Sequence, residues 1–196
     1  RQWQDSEAGA GIAARVACGR RTEGDLMRPE LKSWADRVIG RPTQFTLGPI
    51  SRLWAQRYAA AVDDLNLLYF DEGYAKAHGH PGLVVPPNYL ATLRGEQEFG
   101  PPDSELLEDG MAPSARPPLA NLMGMGGGQK LIFHRHAYCG EHIEGQRTVT
   151  GVQEKEGRSG LLVIIEDELI YSAKDGECIL TLCNTLLCRW IDGDEA

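Results

Sequence analysis

Residues 152–189 read VQEKEGRSGLLVIIEDELIYSAKDGECILTLCNTLLCR, and this stretch decides the fold. Residues 161–171 form a long run rich in β-branched and aliphatic side chains, and residues 179–187 form a second of the same character. Lys174, Asp175 and Gly176 between them are hairpin-turn residue types, so the two runs are expected to pair antiparallel. Glu156-Gly157-Arg158-Ser159-Gly160 reads as another, longer turn that brings in a strand over 147–152. Alternation over 130–136 adds one more strand upstream.

Toward the N-terminus the pattern turns helical. Pro29 followed by ELKSWADRVIG suits a helix start at the first helical position, with Leu31, Trp34, Val38 and Ile39 on one stripe and Gly40 as its stop. A short strand is expected over 44–47. Ser51 is placed to cap RLWAQRYAAAV (52–62), with Leu53, Trp54, Tyr58, Ala61 and Val62 on the core side, and Asp63 and Asp64 end the run. A further helical pattern begins near Asp71. Gly79, Pro81 and Gly82 mark a turn, after which Pro86 and Pro87 open a helix through Asn88, Tyr89, Leu90 and Leu93. Helices followed by consecutive antiparallel strands give an α+β fold.

At 196 residues the chain fits one domain, over 28–196, preceded by a loosely ordered extension over 1–27. Residues 95–118, rich in Pro, Glu, Asp and Ser, form a long insertion that is either a lid or a solvated loop. The net charge of −8 with no block of Lys and Arg argues against nucleic acid and anionic membrane surfaces as partners. No apolar run approaches the roughly 20 residues that span a bilayer. Five cysteines, odd in number and without CxxC spacing, point to a reducing, cytoplasmic compartment.

The chemistry concentrates in AVDDLNLLYFDEGYA (61–75), a polar link between two helical segments where side chains can be held out of the core. This stretch resembles the hydratase signature Gly-Asp-x-Asn-Pro-aliphatic-His of the MaoC-like, hot-dog-fold (R)-specific enoyl-CoA hydratases and 3-hydroxyacyl-thioester dehydratases. Asp64, Asn66 and the small residue Ala75 match that signature, whereas Asp63, Leu67 and Tyr69 stand where it has glycine, proline and histidine. GHPGLVVPPNYL (79–90), MGGGQKLIFHRHAYCGEHI (125–143) and the stretch 152–189 are similar, in the order required, to the N-terminal FAS1-like dehydratase type of domain. The resemblance implies a single hot-dog, an antiparallel sheet wrapped around a central helix, with extra helices before it. It also implies reversible water addition to a 2-enoyl thioester, with no metal and no cofactor beyond the coenzyme A of the substrate.

On that resemblance Asp64 and Tyr69 occupy the catalytic positions, and Asn66, His80, Val85, Asn88 and Tyr89 lie where substrate would bind. Tyr69 is a poor substitute for histidine as a base, because a phenol titrates near ~10 and an imidazole near neutrality. Proline has no N–H, so Pro86-Pro87 deprives the helix start of a donor for the thioester oxygen and leaves Asn88 as the first one available. Both departures imply a substrate-binding half that works with a second hot-dog domain or subunit, as homo- or heterodimer, carrying the full Asp/His dyad. The alternatives are a self-sufficient dehydratase using Asp64 and Tyr69, and a non-enzymatic acyl-thioester-binding subunit. Asp64 and Asn66 also suit plain helix capping. A CoA-binding role calls for a basic patch, for which Arg52, Arg57, Lys76 and Arg94 are nearest in sequence.

Two other groupings carry less. His134, His136, Cys139 and His142 have ligand-type side chains, with both rings of HxH on one face if the segment is a strand, yet no Asp or Glu spacing of the kind that supports metal ligands confirms a site. Gly124, Gly126, Gly127 and Gly128 lack the GK[ST] of a phosphate cradle and instead suit a tight backbone approach at the sheet.

Overall fold

A computed structural model describes residues 27–93, 103–107, 110, 117–119, 121–157 and 160–191. The expectations for the extension over 1–27, apart from Met27, and for most of the insertion over 95–118 lie outside the described residues. The described elements run α1 (Pro29–Val38), β1 (Pro42–Pro49), α2 (Arg52–Ala61), α3 (Leu67–Phe70), α4 (Glu72–Ala77), β2 (Leu122–Phe133), β3 (His142–Gly157), β4 (Gly160–Ala173) and β5 (Cys178–Trp190). All five strands join one antiparallel sheet in the order β1-β3-β4-β5-β2, the hot-dog arrangement.

The β4–β5 hairpin closes where expected: Gly176, at φ +90°, donates to Ala173 O, and Ala173 donates to Glu177 O. The β3–β4 connection is tighter than the sequence predicts, since pairing continues to Gly157 opposite Gly160. β2 begins eight residues before the predicted start and ends at Phe133, so His134 and Arg135 fall on a bend. The glycine run thus lies inside β2, with a bulge between Gly126 and Gly128. A Cβ on Gly127 would sit 2.9 Å from Thr185 O, which is the close approach that requires glycine there.

One face of the sheet carries the core. Along β4 the buried side chains are Val163, Ile165, Asp167, Leu169, Tyr171 and Ala173, a strict period of two. α1 covers one end of this face, burying Leu31 and Ala35 against Val149, Val152, Val163, Ile165 and Leu186. Ile39, expected on that stripe, is 40% exposed; it caps the helix in extended backbone and bridges to Val149. α2 covers the other end through Ala55 and Ala59, with Trp54 and Tyr58 packed alongside. Leu53 and Val62, expected to face inward, are 55% and 53% exposed. Two alanines one turn apart let the helix approach closely, and that stripe leaves no room to bury the flanking aliphatics.

The segment from Pro86 to Leu93 is a turn followed by a 3-10 helix over Leu90–Thr92, in place of the α-helix start expected. Its bonds run three residues back, from Tyr89 to Pro86, Thr92 to Tyr89 and Leu93 to Leu90, and the Thr92 hydroxyl also donates to Tyr89 O. Two consecutive prolines supply no N–H to begin a wider helix, and the tighter pattern uses the donors that remain. This turn still places Tyr89, Leu90 and Ala91 on the core.

Candidate functional site

The link after α2 is built by successive caps. Ser51 Oγ accepts from Trp54 N at 3.4 Å at the start of α2, and Asp64 N returns to Ala59 O at 2.9 Å at its end. Asp63 takes φ +56°, a left-handed conformation that short acidic residues tolerate. Asn66 Oδ1 then accepts from Leu68 N at 3.0 Å and opens the single turn of α3, while Asp71 Oδ1 caps α4 through Tyr74 N at 2.9 Å. Asn66 is therefore occupied as a helix cap, one of the two roles its sequence position allowed.

The same turn brings the two catalytic-position residues together. Tyr69, 6% exposed, donates its hydroxyl to Asp64 Oδ2 at 3.2 Å. Burial raises the Tyr69 phenol above its ordinary value, and the Asp64 charge and hydrogen bond raise it further. The phenol is thus a donor held protonated, unsuited to removing a proton from water. Gln56 Nε2 donates to Tyr69 O at 2.9 Å, and Tyr69 packs with Ala59 and Val84, beside Leu68, Phe70 and Tyr138. The roles of Gln56 and Tyr138 have no sequence signal, because both contacts arise from how α2 and the 134–141 segment fold over α3.

Because the folded-state pKa of Tyr69 lies above its unfolded value, the bound proton favours the folded chain. That contribution is complete below about pH 10 and is lost as pH rises through the raised value. Asp64→Asn is expected to bring the Tyr69 titration partway back toward the ordinary phenol range, since burial, the larger cause, stays. Carbon NMR of ring-labelled tyrosine across an alkaline titration reads this; an unchanged Tyr69 titration in the variant would refute the coupling.

The expected substrate-binding residues do not form one surface. Val85 (2% exposed) and Tyr89 (6%) are core residues; Val85 N donates to Ala137 O at 2.9 Å and the Tyr89 ring packs on Tyr58 at 5.4 Å between centroids. Asn88 is exposed on the turn between them. His80 stands apart, its Nδ1 3.4 Å from Tyr138 Oη and its ring edge-on to His136 at 5.1 Å. Val84 N donates to Leu68 O at 3.0 Å, which ties this strip to α3.

The other histidines separate. His134 Nε2 meets Thr181 Oγ1 at 3.0 Å and His142 is exposed at the start of β3, while burial raises the Cys139 thiol. No three metal-ligating side chains converge among the described residues. Of the basic candidates, Lys76 pairs with Glu72 at 2.7 Å and Arg57 lies 4.9 Å over the Trp54 ring; Arg94 is outside the described residues.

Comparison with known proteins fits this geometry. The model of the FAS1-like dehydratase domain region matches residues 37–182. The probable enoyl-CoA hydratase alpha subunit of Thermomonospora curvata is 27% identical over 168 residues, covering 81% of this chain and 50% of that protein, so the chain spans half of that relative's length. Among solved structures, the ChsH1-ChsH2 complex from Mycobacterium tuberculosis matches with a TM-score of 0.67 at 18% identity, covering 84% of this chain and 93% of that one. The (R)-hydratase from A. caviae involved in PHA biosynthesis matches at 0.53 and 18% identity, covering 76% and 94%. At such identities the structural likeness speaks for the fold alone. The family match extends from the last turn of α1 into β5 and takes in the Asp64–Tyr69 link, so the chain belongs to the FAS1-like dehydratase domain region family.

Proposed function

We propose that this chain is the acyl-thioester-binding half of a two-hot-dog enoyl-CoA hydratase or 3-hydroxyacyl-CoA dehydratase. A second hot-dog domain or subunit then supplies the intact Asp/His dyad. The observation that carries this reading is the Asp64–Tyr69 pair, in which a phenol held protonated stands at the base position. Water activation needs a group that is unprotonated near neutral pH, and Asp64 already accepts a hydrogen bond from its neighbour. Two further facts support it: the relative named as an alpha subunit is twice as long as the matched part, and a solved neighbour is a complex.

The partner's place in this reading is the β2 edge. β2 is the outermost strand beside β5, and Met123, Met125 and Phe133 on it are 45%, 46% and 49% exposed. A long edge strand with large apolar side chains in water is a liability unless another sheet covers it.

A self-sufficient dehydratase is the second reading, and the 3.2 Å contact favours it to the extent that Asp64 could act as base with Tyr69 as acid. Incubating the purified chain with crotonyl-CoA and following enoyl absorbance separates the two. The expected result is no turnover by the chain alone and turnover after adding a hot-dog protein encoded beside it. Turnover alone that disappears in Asp64→Asn would overturn the binding-half assignment. Failure of acyl-CoA to raise the melting temperature in either setting would remove both readings.

A further inference from the structure

A polar row crosses the buried face of the sheet where an apolar one would be expected. In register, Gln129 of β2 lies opposite Asn184 of β5, Asn184 opposite Asp167 of β4, and Asp167 opposite Val149 of β3. Directly paired residues share a face; Asn184, Asp167 and Val149 are buried on it, and Gln129, on the edge strand, is exposed at its rim. The flanking pairs, Leu169 with Leu182 and Ile165 with Leu186, belong to the two separate apolar clusters under α2 and α1. The row is thus a polar seam between two greasy halves.

Asp167 is its deepest member, 2% exposed. Both hydrogen bonds that Asp167 accepts from Arg147, from Nε at 2.9 Å and Nη2 at 2.5 Å, end on Oδ2. Asp167 Oδ1 is buried and meets no hydrogen-bond donor among the described residues. An ionised carboxylate oxygen in that condition costs free energy that a well-placed donor would recover.

The seam reaches the surface at the glycine run. A cavity of about 510 Å³ is lined by Gly126, Gly127, Gly128, Gln129, Asn184 and neighbouring β5 residues. A Cβ on Gly126 or Gly128 would meet nothing within 4 Å, so the missing side chains are what leave this space. Asn184, in the cavity wall, is the register partner of Asp167, one strand spacing of about 4.8 Å further in. The Gln129–Asn184 hydrogen bond across the entrance is long, 3.4 Å, and yields readily to a competing group.

We infer that this glycine-lined cavity takes the distal part of an acyl chain carrying a hydroxyl group, which Asp167 Oδ1 accepts at the inner end of the seam. A neutral donor fits better than an ammonium, because Arg147 already balances the Asp167 charge and a second cation would be buried without a counter-ion. The inference deepens the acyl-thioester reading above and rests on it.

The test compares 12-hydroxydodecanoyl-CoA with dodecanoyl-CoA by calorimetric titration of the full chain, wild type, Asp167→Asn and Gly126→Val. Wild type is expected to bind the hydroxylated thioester about tenfold more tightly, the lower end for a hydrogen bond to a charged group. In Asp167→Asn that preference should fall below about threefold with dodecanoyl-CoA binding unchanged; in Gly126→Val, which narrows the cavity without backbone strain, both should weaken. Equal affinity for the two thioesters in wild type overturns the inference and leaves the acyl-thioester reading standing. No binding of either overturns both. A preference surviving in Asp167→Asn means that another group holds the hydroxyl, and it overturns the assignment. Should Asp167→Asn not fold, a preference and affinity unchanged in Gly126→Val overturn it equally.

Discussion

Replacing Glu154 with alanine is expected to lower the unfolding free energy by about 3 kcal/mol. For a chain of this size that corresponds to a fall of about 6–12 °C in melting temperature. The Glu154 side chain is 1% exposed and accepts from two donors: Trp190 Nε1 at 2.6 Å and the Arg28 backbone N–H at 2.7 Å. Arg28 is the residue before α1, and its guanidinium lies 4.3 Å over the Trp190 ring, so one carboxylate joins the start of α1 to the end of β5. The Arg28–Glu154 ion pair at 3.6 Å adds little, because the Arg28 side chain is 40% exposed and solvent screens it. The cost comes from the orphaned donors, and each is a bond to a charged acceptor. Glu154→Gln should lose less, since one amide oxygen still accepts while the NH2 opposes the other donor. Chemical denaturation of the three forms checks this; an alanine variant within 1 kcal/mol of wild type would show that α1 is held by its apolar stripe alone.

How much of this was readable depends on whether a local pattern carried the information. β4 and β5 were legible because apolar runs of strand character flank a Lys-Asp-Gly turn. β2 was half legible: glycines have no side chain to alternate, so the strand's first part left no trace, although the reading of tight backbone approach at Gly127 agrees with its 2.9 Å limit. The far end of β3, Gln153 to Gly157, was missed because its polar residues mimic a turn. The helix cap at Ser51 follows from a short side chain bonding a nearby N–H group, and it appears; the helical pattern near Asp71 starts with the same kind of cap, on Tyr74 N.

The site was legible in identity but not in role. Asp64, Asn66 and Tyr69 stand out by spacing, yet a capping Asn and a water-orienting Asn have the same local signature. Only the fold shows Asn66 spent on Leu68 N and the Tyr69 hydroxyl turned onto Asp64. Asp167 carries a signal of its own in the sequence. It falls on the same parity as Val163, Ile165, Leu169 and Tyr171, and an acid at the buried phase of an alternating strand is a question in itself.

Gly145→Ala is expected to cost about 3 kcal/mol, whereas the same change at an unobstructed strand position stabilises by about 0.5–1 kcal/mol. Its added Cβ would lie 2.1 Å from Phe45 Cζ and 2.2 Å from Cε2, inside any tolerable contact, so the ring must leave. Gly145 pairs with Phe45 across the β1–β3 ladder and has no left-handed backbone, so the penalty is steric displacement and not strain. Displaced, Phe45 gives up its edge-on contact with Tyr171, at 5.9 Å and 79°, and its packing on the main cluster. Tyr171 is fully buried and its hydroxyl donates to Leu93 O at 3.0 Å, holding the segment that follows Pro86 and Pro87 against the sheet. Disorder at Phe45 therefore reaches the strip that carries Val85 and Tyr89. The cause is separable by a double-mutant cycle. If eviction of the ring is the whole effect, Gly145→Ala combined with Phe45→Ala should be no less stable than Phe45→Ala alone, a coupling of about 3 kcal/mol. Simple additivity of the two changes would mean that Gly145 is required for its backbone, and the steric account would be wrong.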